Sequence, residues 1–254
     1  MNIRRSLFTP FAISTLIFFA GALSAVSGQS TIGDGLILHK EVQSKGMMGQ
    51  GGNETSTTYL SQTALREESS DGSDMIMYLA ERRFVLIDHE KKTYSEISVD
   101  DLQNRLDEVS KAMSDPENQQ AMEMLKQMMG GGSGEVTVRH IGDGGSVAGF
   151  STQKYEIKMA PMEMTLWATP EIEPPAAYFD MMNFNIARNP LFDTAQLIEA
   201  FRQVEGFPIK TETRMKLMGM NMETVSEVTN VERGAIDPAK FELPAGYKKS
   251  ELKF

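Results

Sequence analysis

Along most of this chain apolar and polar residues alternate with a period of two, the spacing of a strand with one covered face. Leu36, Leu38, Lys40 and Val42 alternate with Ile37, His39 and Glu41, which predicts a strand closed by a Gly-rich loop over 46–53. The runs 57–61 and 64–69, separated by Gln62 and Thr63, form a hairpin-like pair. An Asp71-Gly72 turn leads into 75–79 and 84–88, and 92–98 completes an antiparallel meander. Further along, 154–159 and 162–168 alternate on either side of Ala160-Pro161, and 207–215 is joined to 222–232 by a turn around Gly219.

The period lengthens in three places. Val99, Leu102, Leu106, Val109 and Met113 recur at helical steps behind the acidic start Asp100-Asp101. Asp115 and Pro116 then open a second helix, whose stripe Met122, Leu125, Met128 and Met129 ends at a Gly-rich link over 130–134. After a segment opened by Pro174 and Pro175, with Tyr178, Phe179, Met181 and Met182, Asp193 caps a helix carrying Ala195, Leu197, Ile198, Phe201 and Val204 before Gly206. The pattern is that of the α+β class: nine or ten strands in an antiparallel sheet covered by helices, within one domain over 29–254.

The N-terminus follows a different logic. Arg4 and Arg5 precede an apolar run over 11–23 that ends in Ser24, Ala25, Ser27 and Gly28. A charged start, a short apolar middle and a small-residue exit predict a secretory signal peptide over 1–28, the run being too short to span a bilayer. Removing it takes away Arg4 and Arg5 and no acid, so the net charge moves from −10 to −12. Such an acidic chain repels phosphate backbones and anionic lipid surfaces, which disfavours nucleic acid as a partner. No later segment is apolar enough to cross a membrane, and the mature protein is expected in the periplasm or secreted. With 0 Cys the chain has no disulfide, no thiolate metal site, no Cys nucleophile and no lipid-modified Cys. Its 19 Met and 13 Phe against 1 Trp point to a core built partly of pliant, polarizable side chains.

Chemistry is sparse. His39, His89 and His140 lack the spacing by which two imidazoles share a metal. Asp88-His89 looks like half of an acid-base relay, but strand neighbours point to opposite faces, so Asp88 is not placed to orient His89. The Gly-x-Ser-x-Ala look of Gly144-Gly145-Ser146-Val147-Ala148 lacks a following helix and reads as a turn. The Gly-rich link lacks the Gly-Lys-Ser/Thr ending of a phosphate loop. Met122-x-Met124, Met162-x-Met164 and Met218-x-Met220-x-Met222 have the softness that suits Cu(I), yet the same spacings place Met on an apolar core face.

Several segments carry a resemblance. They are Tyr59-Leu60-Ser61 with Leu65-Arg66, Asp88-His89-Glu90-Lys91-Lys92-Thr93-Tyr94, Leu166-Trp167-Ala168-Thr169, Gly206-Phe207-Pro208-Ile209-Lys210 and Pro238-Ala239-Lys240-Phe241-Glu242-Leu243-Pro244-Ala245-Gly246-Tyr247. In this order they resemble an exported bacterial family known only as a domain of unknown function (DUF4412-like), which is similar in outline to periplasmic lipoprotein carriers of the LolA and LolB type. The resemblance implies an antiparallel half-barrel with helices packed in or over its concave face. It brings no catalytic residues. Many relatives place a Cys where Thr152 stands, so any thiol role is absent here. Read physically, Pro208 and Pro244 mark strand ends, Gly246 permits a turn, Lys91-Lys92 is a hairpin turn, and Phe241 and Tyr247 staple the C-terminal segment to the sheet.

These readings converge on an exported, non-enzymatic protein without cofactor or metal. It is expected to hold a hydrophobic ligand, such as a lipid or a lipoprotein acyl chain, in a hollow lined by Leu125, Met128, Met164, Leu166, Phe179, Met182 and Phe201. The competing readings are a cell-envelope interaction module with a filled core and a Met-based Cu(I) binder.

Overall fold

Period-two alternation commits most of the described residues to strands, and short turns between them force neighbours to pair antiparallel. The computed structural model describes residues 35–45, 51–101, 104, 136–173, 194–217 and 220–252. The expected signal peptide, the body of the two helices before the Gly-rich link, that link and the segment after Pro174 all lie outside the described residues.

Twelve strands build one open sheet: β1 (Leu36–Lys45), β2 (Gly51–Leu60), β3 (Ala64–Ser69), β4 (Ser73–Tyr78), β5 (Arg83–Asp88), β6 (Thr93–Ser98), β7 (Thr137–Val147), β8 (Phe150–Met159), β9 (Met162–Thr169), β10 (Phe207–Leu217), β11 (Met220–Arg233) and β12 (Lys248–Lys249). Their order is β12-β6-β5-β4-β3-β2-β1-β11-β10-β9-β8-β7. The first meander and the last therefore meet where β1 pairs with β11, Leu36 opposite Arg233 and Lys45 opposite Glu223. Every pairing is antiparallel except that of β12 with β6. Among the described residues α1 (Thr194–Arg202), a 3-10 turn (Pro238–Phe241) and the start of a helix at 99–101 accompany the sheet. The fold is thus a large antiparallel sheet with little helix, more β-rich among the described residues than the α+β expectation. No helix of these residues is long and apolar enough to cross a membrane.

Three local differences from the sequence reading have physical causes. The loop expected over 46–53 is shorter, because β2 begins at Gly51 and pairs with Lys45. A Cβ at Gly51 would lie 2.3 Å from the Ser44 carbonyl oxygen, so glycine here lets two backbones approach. The turn expected over 144–148 sits later, at Ala148 and Gly149, with Gly144 inside β7. Gly144 stacks under Thr152 and Trp167, where an added Cβ would lie 2.5 and 2.8 Å from their side chains. Bulges between His140 and Gly142 and between Asp143 and Gly145 break the period there and hide the strand from a pattern search. The helix expected from Val99 does begin there, at 99–101 and 104. Its cap is Ser98, whose hydroxyl accepts from the Asp101 N–H at 3.0 Å.

Candidate functional site on the core face

Cross-strand partners share a face, so the register sorts the side chains of the sheet. Leu36, Leu60, Leu65, Met77, Phe84 and Ile97 stand in one line across β1 to β6, all buried. On the same face of the other half, Met159, Met162, Met215 and Met222 form a line across β8, β9, β10 and β11. Above it run Ile157, Met164 and Thr213, then Tyr155, Leu166, Thr211 and Ser226. This core face is continuous over ten strands, apolar at both ends.

Of the seven lining residues read from sequence, Met164, Leu166 and Phe201 come together. Leu166 and Phe201 are 0% exposed and Met164 is 3%. They belong to one cluster with Tyr155, Ile157, Met159, Met162 and Ala168 of β8 and β9 and with Leu197, Ala200 and Val204 from α1 and its end. The i, i+3, i+4 and i+7 spacing of those helix residues puts them on one stripe, which the Met-rich strands receive. Burial raises the pKa of the Tyr155 phenol, outweighing the hydrogen bond from the Glu205 backbone. Leu125, Met128, Phe179 and Met182 lie outside the described residues, as do Met122, Met124 and Met218 of the thioether motifs.

Between the two apolar halves the face turns polar. Ser56, Thr58, Thr211 and Ser226 are 8, 4, 4 and 1% exposed, yet none of their hydroxyls has a hydrogen-bond partner. Thr211 stands directly opposite Ser226. Ser56 stands opposite Lys40, and Thr58 opposite both Leu38 and Glu67. Lys40 reaches across β2 to Glu67 at 2.8 Å, closing an ion pair that is largely buried. A buried hydroxyl without a partner costs about 1–3 kcal/mol, so four on β2, β10 and β11 of one face are not incidental filler. Sequence reading missed them. The available signal was phase: Ser56 and Thr58 alternate with Leu60, and Ser226 with Val228, on the covered side.

The opposite face of β3 to β6 receives the C-terminal segment. Leu243 and Tyr247 pack on Ile76, Val85 and Ile87. Arg66 donates to the Lys240 carbonyl at 2.9 Å and to Asp74 at 2.5 Å, and the Tyr78 hydroxyl donates to the Phe241 carbonyl at 2.6 Å. His89 Nε2 meets Asp74 at 2.8 Å, and Nδ1 meets the Tyr247 hydroxyl at 2.8 Å. Asp74, not Asp88, therefore orients His89, because Asp74 faces Ile87 across the β4–β5 ladder and His89 follows two residues later on that face. Asp88 instead holds the turn through Lys91, whose hydrogen bonds keep its carboxyl below the usual carboxylate range. Both ring nitrogens of His89 are occupied, which leaves none for a substrate proton or a metal. Tyr247 staples the segment as the sequence implied, and Gly246 makes its turn at φ +82°.

The remaining motifs carry structure. His39 pairs with Glu232 at 3.1 Å and His140 with Gln153 at 2.9 Å. Ser146 sits within β7 just before the turn into β8, not on a strand-to-helix elbow. Among the described residues no three His, Asp or Glu side chains converge as metal ligands. Trp167 lies under two lysines, Lys154 Nζ at 4.5 Å and Lys210 Nζ at 5.0 Å from its ring centre.

A family model described as a domain of unknown function, DUF4412, matches residues 42–247. No curated protein matches the chain. Among solved structures it is similar to PNGF-II in a P21 crystal, at TM-score 0.41 and 10% identity, over 86% of this chain and 32% of that one. A LolA superfamily protein, NE2245 from Nitrosomonas europaea, is similar at TM-score 0.33 and 9% identity, over 82% of this chain and 90% of its own. A DUF1329 family protein from Desulfovibrio piger is similar at TM-score 0.31 and 9% identity, over the same shares. The chain spans about a third of the PNGF-II chains it matches, 31 and 32% of their length.

Proposed function

Since this chain belongs to the DUF4412 family, described only as a domain of unknown function, we propose its role from its residues: an exported, non-enzymatic protein that holds a hydrophobic ligand against its core face. The ligand class is a lipid or an acyl chain. The observation that carries this reading is the methionine line Met159, Met162, Met215 and Met222, continued by Met164. Unbranched thioether side chains reshape around guests of variable form at low cost, whereas a core that only needs rigidity is better served by branched residues. The finer geometry proposed is a half-barrel whose concave side is the core face, with helices over it. The packing of Leu197, Phe201 and Val204 on β8 and β9 supports this. Met164, Leu166 and Phe201 line the proposed site, together with Leu125, Met128, Phe179 and Met182. Because Leu166 and Phe201 are completely covered by one another's neighbours, entry of a ligand requires α1 to move aside. The Arg4-Arg5 start and the apolar run after it support export to the periplasm or beyond.

A second reading draws on that same coverage. If the interior stays filled, the chain is an envelope interaction module that works through its surface. Native mass spectrometry of the mature protein purified from its own envelope, followed by organic extraction, separates the two. The expected result is a stoichiometric lipid-like mass lost on extraction. A bare mass that takes up neither a fluorescent fatty acid nor Cu(I) overturns the carrier and leaves the module.

A further inference from the structure

Resting on the carrier reading, we propose that the hydroxyls of Ser56, Thr58, Thr211 and Ser226 form a subsite for the uncharged, oxygen-bearing head of the ligand, of the acyl ester class. All four are more than nine-tenths buried and lack partners. By register they occupy β2, β10 and β11, with β1 between, on one face. Strands lie about 4.8 Å apart, so the array is about 14 Å wide, and it runs diagonally, because Ser226 stands opposite Val42 whereas Ser56 and Thr58 stand opposite Lys40 and Leu38 further along β1; that is room for the oxygens of an ester-linked group and more than a single water fills. Thr211 and Ser226 stand opposite each other without bonding to each other, leaving both hydroxyls able to donate to a third group. Apolar surface flanks the array on both sides: Leu60 and Leu65 toward β3, and Leu166 and Met164 toward β8. A guest lying there meets hydrocarbon at its tails and hydroxyls at its middle.

Charge decides what kind of head fits. The cation in register with Ser56 is Lys40, and Glu67 already neutralises it at 2.8 Å. A carboxylate brought into this interior would find hydroxyls but no unpaired positive charge, and burying it would cost far more than burying an ester. Ester carbonyls only accept hydrogen bonds, and each hydroxyl here has a donor to give.

The test is displacement of an environment-sensitive naphthalene dye from the delipidated mature chain by three probes of equal chain length: monoolein, oleate and 1-octadecene. The expected order places monoolein tightest, by about tenfold over 1-octadecene, with oleate weaker than monoolein. Both T211V/S226A and S56A/T58V should lose the monoolein preference while keeping 1-octadecene affinity and a melting temperature no lower than the parent's. Equal binding of monoolein and 1-octadecene by the parent overturns the subsite and leaves the carrier standing. So does a preference that survives in whichever variants fold, or lowered melting with unchanged preference, which marks hydroxyls held by ordered water. Failure of all three probes to displace the dye overturns the carrier reading itself, and the subsite with it.

Discussion

The two faces of the sheet treat buried polarity in opposite ways. On the outer face of β3 to β6, Arg66, Asp74, Tyr78, His89 and Tyr247 each have a partner, and together they clamp the C-terminal segment. On the core face, four hydroxyls buried to a similar depth have none. Interiors satisfy their polar groups when those groups exist to hold the fold, so the contrast sets a structural latch, in which Arg66 Nε alone lacks a hydrogen bond and still lies 3.3 Å from Glu68, against the surface proposed to hold a guest. Substitutions on the two faces should therefore differ in sign as well as in size.

The largest effect is expected at the latch. Asp74 is 6% exposed and accepts from both Arg66 and His89. D74A takes from the buried Arg66 guanidinium its closer counter-ion, leaving only Glu68 at 3.3 Å from Nε, and should cost about 4 kcal/mol in urea unfolding. Limited proteolysis should also cut within 238–250 in D74A and spare the parent. A variant as stable as the parent would show that the latch is ornamental and erase the contrast. Next comes the packed half of the core face. F201A removes a fully buried ring against Met164 and Leu166 and should cost about 3 kcal/mol by the same measurement. A much smaller cost would mean that α1 is loosely seated, as an openable cover requires.

Smaller effects sharpen the outer face. Y247F keeps the ring on Ile76, Val85 and Ile87 but removes the hydroxyl from His89, and should cost about 1 kcal/mol. At the β3–β4 turn, burial works to raise the Asp71 carboxyl, yet the Ser73 hydroxyl at 2.6 Å, the Ser73 N–H at 2.8 Å and the Ser69 hydroxyl hold it below the usual range. A carboxyl depressed in the folded state contributes stability above its unfolded pKa and loses it as pH falls through the folded one. Urea midpoints of the parent should therefore drop between pH 6 and pH 3 more steeply than those of D71N, by less than the Tyr247 effect. Parallel slopes would remove Asp71 from the acid response.

Legibility followed sequence distance. That Met164, Leu166 and Phe201 are buried could be read because each lies in a local run whose period is intact. The roles of Phe241 and Tyr247 were half visible: an aromatic near a Pro and a Gly marks a staple, but Tyr247 acts through a histidine 158 residues earlier. Asp74 and His89 meet only through the β4–β5 register, and Asp88 next door is the more obvious and incorrect partner. β7 was visible only as the strand leading into the expected turn at 144–148, because two bulges and three glycines break its alternation, and β12 escaped because two residues have no period to show. The hydroxyls were hidden for a different reason. Ser and Thr are common on strands, and only the pairing of β1 with β11 brings the β2 hydroxyls near those of β10 and β11.

The smallest effect is the most discriminating. T211V exchanges a hydroxyl for a methyl of similar shape beside Leu166 and Ser226. Where a hydroxyl is bonded, that change usually costs about 1 kcal/mol, but here the hydroxyl has no bond to lose. Desolvating a methyl is favourable, so the ligand-free variant should match or slightly exceed the parent in urea midpoint, opposite in sign to D74A and Y247F. A ligand that uses the hydroxyl reverses this: adding monoolein should raise the melting temperature of the parent more than that of T211V, since stabilisation follows affinity for the folded state. If instead T211V is destabilised without ligand, Thr211 is already satisfied in solution, and the core face joins the outer face as ordinary structure.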